Sequence, residues 1–148
     1  MNKTITLAAL LLLATGAAQA QSGADCPALP AESGVAWEKL DGADYTFCKA
    51  IRAADGHQVL AVMIAAEAPF RPKRGDRTRE TYIDGHETWW YRGQLSGTVG
   101  TEVRETLVEL DRDLVAHISL RAGSEEQLAR AMALAESLRF GDVRLSVN

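Results

Sequence analysis

Three histidines, His57, His86 and His117, share the chain with Glu87, Glu105 and Glu109, and imidazole with carboxylate is the material of general acid–base or metal chemistry. His57 and His86 each follow an Asp-Gly pair, a repeated triplet, whereas His117 lies in an extended stretch. In an up-and-down meander the two Asp-Gly turns would share one end of the sheet. The strands they start would still be separated by an intervening strand, roughly 9–10 Å, while zinc gathers its donor atoms at about 2 Å. No H-E-x-x-H arrangement is present. These residues therefore read as polar groups at hairpin ends and on a strand, and neither a metal nor a cofactor is expected.

Nucleophilic chemistry has little more support. Ser96 stands in Gln94-Leu95-Ser96-Gly97-Thr98, which lacks the G-x-S-x-G elbow, and no S-x-x-K occurs. Glu105 and Glu109 fall on one face of an extended segment, but acids alternating with apolar residues are also what a solvated sheet face looks like.

Binding chemistry is better represented. Arg71, Lys73, Arg74, Arg77 and Arg79 put five cations within nine residues, a natural grip for phosphate or carboxylate. Trp89-Trp90-Tyr91 is the second anomaly: on a regular strand consecutive side chains alternate faces, so Trp89 and Trp90 cannot enter the same layer. One packs under a helix, and the other meets a second cover, with Trp37 a candidate for it, or is left to make a contact. Arg71, Lys73, Arg74, Arg77, Arg79, Trp89 and Trp90 are thus the candidate binding residues.

These groups sit on a framework with legible punctuation. Residues 1–20 combine Lys3, an apolar run from Ile5 to Ala14 broken only by Thr6, and Ala18-Gln19-Ala20, the layout of a secretory signal peptide cleaved after Ala20. The run is too short to span a bilayer, and no other segment qualifies. Residues 21–148 then form a single α+β domain, periplasmic or secreted. Its two cysteines, Cys26 and Cys48, are expected to form one disulfide in that oxidising setting.

Within this domain Tyr45 to Arg52, His57 to Glu67, Arg79 to Ile83, His86 to Arg92, Glu102 to Leu110 and Leu114 to Arg121 read as strands. Asp55-Gly56, Asp84-Gly85 and Asp111-Arg112-Asp113 supply three hairpin turns. Apolar residues occupy both phases from Val59 to Ala66, as in a central strand covered on both faces. Ser124 is a helix N-cap with Gln127 three residues on, followed by Leu128, Ala131, Met132, Ala135 and Leu138 at helical spacing. The expected fold is an antiparallel sheet of five or six strands with a C-terminal helix packed on one face.

Composition bounds the function. The 148 residues carry 16 Lys and Arg against 20 Asp and Glu, a net charge of −4, and losing residues 1–20 makes it −5. A nucleic-acid-coating protein is therefore not expected, and the basic segment is the one place for an anionic partner. The reading is an exported binding or interaction domain, an immunity or inhibitor-type protein being one example. Its partner would be an unknown protein or an anionic envelope component. A helix of this length covers about 20 Å of one face, so the other needs an N-terminal flap, a partner, or a second copy in a homodimer. The rival reading is a small envelope hydrolase using His86 or His117 with a nearby glutamate. A structural accessory domain without a discrete ligand is the third.

Overall fold

The structure, a computed structural model, describes residues 26–93 and 100–141. Residues 1–20, expected to be a signal peptide cleaved after Ala20, lie outside the described residues, as does Ser96.

Seven strands and one helix follow in order: β1 (Val35–Asp41), β2 (Tyr45–Arg52), β3 (Gln58–Ala65), β4 (Arg77–Ile83), β5 (His86–Arg92), β6 (Glu102–Asp111), β7 (Leu114–Ala122) and α1 (Glu125–Glu136). The strands form one antiparallel sheet in the order β1-β2-β3-β7-β6-β5-β4. The expected antiparallel α+β arrangement is present, but with seven strands rather than five or six. The additional strand is β1. Its period-two signal is blurred because half-buried Lys39 pairs with Cys48 on the inner face, while Leu40 is 56% exposed on the outer one.

The three Asp-containing turns each close a hairpin. At Asp84-Gly85 both residues take positive φ, 49° and 82°, the conformation a two-residue hairpin turn requires and Asp-Gly accepts cheaply. The sheet is consequently two meanders, β1-β2-β3 and β4-β5-β6-β7, joined where β3 pairs with β7.

That join overturns a simple meander. Because β3 and β5 run in opposite directions with two strands between them, His57 and His86 begin their strands at opposite ends of the sheet. It also dictates the path of the chain from β3 to β4, which run the same way four places apart. Residues 66–76 must cross about 19 Å sideways and return the length of a strand, a diagonal of about 30 Å against a reach of about 40 Å. The segment has little slack and lies across the sheet. It ends in a 3-10 turn, Arg74–Asp76, that feeds β4.

One face carries the main core. Leu60, Val62 and Ile64 of β3 and Ala116, Ile118 and Leu120 of β7 are buried there with Cys48, Ile83, Trp90 and Val108. Ala131, Met132, Ala135 and Leu138 close over them. Each fully buried Leu or Ile contributes about 1.5–3 kcal/mol relative to exposure. The Ser124 side chain accepts the Gln127 N–H, and the Gln127 side chain turns back to accept from Gly123, so both ends of the cap are satisfied.

The Cys26–Cys48 disulfide is formed, with Cα atoms 5.9 Å apart. It anchors the N-terminal segment on the helix side of β2, where Cys26 joins the core. Trp37 Nε1 donates to the Pro27 carbonyl at 2.6 Å, and Ala28 pairs with Arg139 just beyond α1. The N-terminal segment is thus no flap over the opposite face; the crossing connection occupies part of that face. Among the described residues no helix is long and apolar enough to cross a membrane.

Candidate functional site

The face opposite α1 brings together what the sequence keeps far apart. In the β6/β7 hairpin Glu105 pairs with Ser119 and Leu107 with His117, so Glu105 and His117 are diagonal neighbours on one face. His117 Nε2 lies 3.0 Å from Glu105 Oε1. A carboxylate only accepts, so Nε2 carries the bridging hydrogen and Nδ1 is left as an acceptor.

The connection closes over this pair. The Phe70 ring stacks on His117 with centroids 5.2 Å apart and planes 12° from parallel, and Tyr91 meets Phe70 edge-on at 5.6 Å. His117 is 9% exposed. Burial lowers its pKa below the ordinary 6.5, and the Glu105 carboxylate only partly opposes that shift. At neutral pH the imidazole is therefore uncharged.

A cavity of about 330 Å³ opens beside it, with Pro69 and Phe70 as its apolar wall and His117 and Glu105 in its lining. Arg71 and Lys73 of the connection and Arg92 at the end of β5 supply three cations, and Asp76 adds a second carboxylate. With His117 neutral the described lining residues carry a net charge of +1. No carboxylate among the described residues lies within ion-pair distance of Arg71, Lys73 or Arg92. Pro69 and Arg71 also border a second depression, of about 430 Å³, that reaches Tyr45, Met63 and Glu67.

The remaining candidates disperse. Arg74 is exposed in the 3-10 turn, and Arg77 sits 5.0 Å above the half-buried Trp89 ring on the same face as His117. Arg79 passes to the helix side, where a register shift in β4 turns it toward Glu136. Trp90 is fully buried there and donates from Nε1 to the same carboxylate at 2.9 Å. The two tryptophans therefore take opposite faces, and neither contacts Trp37, which packs at the far edge.

His86, Glu87 and His117 do not converge. Glu87 accepts from Tyr82 at 3.4 Å on the outer strands, and this carboxylate is the main reason the Tyr82 phenol titrates above its ordinary 10.0. His57 closes its own turn through its N–H to Asp55. No group of three His, Cys, Asp or Glu side chains among the described residues could hold a metal ion. Arg92 was absent from the candidate residues, and His117 entered only through the hydrolase reading, with no particular glutamate assigned to it. Counting back from the Asp111-Arg112-Asp113 turn would have placed Glu105 and His117 on one face; Arg92 had no comparable signal.

No protein-family model, curated protein or solved structure matches the chain.

Proposed function

We propose that the chain is an exported, non-enzymatic binding domain whose contact surface is the sheet face opposite α1, with the crossing connection as its grip on an anionic envelope component or partner protein. One observation carries this reading: Arg71, Lys73 and Arg92 border a single cavity, without carboxylate partners among the described residues, in a protein whose overall charge is negative. Unpaired cations around a concavity focus a local positive field that the molecular average hides. The signal-like residues 1–20 and the Cys26–Cys48 disulfide support export.

The test is chromatography of residues 21–148 on immobilised polyglutamate. Retention that falls with salt and disappears in Arg71→Glu/Lys73→Glu supports the assignment. Co-elution of both proteins in the unbound fraction at low salt removes it.

The His117 to Glu105 pair favours a second reading, a small hydrolase. Against it, the described residues of the cavity lining include no hydroxyl or thiol nucleophile, and Phe70 covers one face of the imidazole. Turnover of p-nitrophenyl acetate or p-nitrophenyl phosphate that vanishes in His117→Gln would establish hydrolysis instead.

A further inference from the structure

Resting on the anion-binding reading, we infer that the cavity beside His117 is a carboxylate site, built for a small organic monoanion rather than for a dianion. Arg71 and Arg92 each present a planar fork of donors, the geometry that chelates a carboxylate through both oxygens. Lys73 adds a third positive charge without that directionality.

The charge count selects among anions. Three cations face Asp76 and Glu105, and Glu105 is already engaged by His117. A monoanion neutralises the resulting net charge of +1. A dianion such as sulfate overshoots it and meets two fixed carboxylates in the same lining. Those carboxylates therefore discriminate by repulsion while the arginines attract.

The walls specify an organic ligand. Phe70 and Pro69 give one side an apolar surface, and Tyr91 backs Phe70 edge-on, which holds the ring in place. A volume of about 330 Å³ is at the small end of ligand cavities, which run from ~300 to 1,000 Å³. Pro69 and Arg71 also border the neighbouring depression, so the two concavities adjoin. A benzoate-like or uronate-like acid meets these conditions: a carboxylate at the arginines and a flat or ring-shaped body against Phe70.

The experiment is NMR and calorimetric titration of residues 21–148 at pH 7.5 with benzoate, glucuronate, benzamide and sulfate. Benzoate or glucuronate should saturate in the millimolar range and move the His117 ring signals; which responds more strongly separates an aromatic from a sugar acid. Benzamide should give no saturable change, and sulfate should bind at least tenfold more weakly. Arg92→Gln, an exposed substitution whose thermal midpoint should match the wild type, should weaken the carboxylate at least tenfold, and Arg71→Gln should do the same. Failure of both carboxylates, equal affinity for benzamide or sulfate, or wild-type affinity in both arginine variants overturns the assignment. If the carboxylates fail while salt-sensitive, Arg71/Lys73-dependent retention on polyglutamate persists, the cavity assignment falls and the binding reading stands. Loss of both responses removes both.

Discussion

Trp90 Nε1 donates to Glu136 Oε1 at 2.9 Å, which ties the floor of the sheet to the last turn of α1. Arg79 reaches the same carboxylate from solvent. The indole N–H is sealed in the core, so Glu136→Ala strands it and should cost about 1–3 kcal/mol. Arg79→Ala removes only a largely exposed ion pair and should cost under about 1 kcal/mol. Urea denaturation of the two variants measures the difference, and equal losses would show that the ion pair dominates.

His117 should titrate below 6.5 when followed by its ring signals in NMR, because burial opposes its charge more than Glu105 supports it. Glu105→Gln removes that support and should move the midpoint lower still. The sign for folding follows: the unfolded chain takes up the proton first, so stability present above pH 6.5 declines as the pH falls toward the lower folded-state midpoint. In the cavity, protonation adds one positive charge to Arg71, Lys73 and Arg92 against Asp76 and Glu105. Sulfate affinity should therefore rise over the same interval, which titration calorimetry at several pH values would detect.

Asp84 has two tasks. It holds the positive φ of the β4/β5 turn, and its Oδ2 accepts the Phe140 N–H at 2.7 Å. Asp84→Ala loses the acceptor and places a Cβ residue without local hydrogen bonding in the left-handed region, at a cost of about 2–4 kcal/mol. Asp84→Asn keeps both an acceptor and tolerance of that conformation and should cost under about 1 kcal/mol. Thermal unfolding of the pair separates the turn from a mere charge effect.

Cys26→Ala/Cys48→Ala should lose about 3 kcal/mol, chiefly by freeing the unfolded chain. It should leave the sheet intact, since β1 still pairs with β2 through all seven of its residues. Denaturant unfolding with and without reductant checks the size of the effect, and a reductant-insensitive wild type would contradict it.

The features legible in the sequence are local ones. Asp84-Gly85 announces its turn because few residues accept both φ values, and Ser124 announces α1 because its side chain caps a backbone N–H three residues away. The division of Trp89 from Trp90 follows from strand periodicity alone. What escaped depends on long-range pairing. Nothing near Leu60 indicates that Leu120 lies opposite, and the crossing of residues 66–76 is a consequence of that register. Five neighbouring cations therefore read as one patch, whereas the fold sends Arg71 and Lys73 to the cavity, Arg77 to Trp89 and Arg79 to Glu136. Arg92 joins the cavity from a strand on which its charge was unremarkable.

The seam between β3 and β7 also sets an order of assembly. Each meander can begin from its own short hairpins, but Leu60 and Leu120 meet only after a long loop is closed, the slow step in sheets of this kind. As the chain is synthesised, β3 is complete about 50 residues before β7 begins. Until then Val62 and Ile64 stand at an open strand edge with their apolar side uncovered. The stretch that most needs guarding from other chains is therefore one that ends in the interior of the finished sheet.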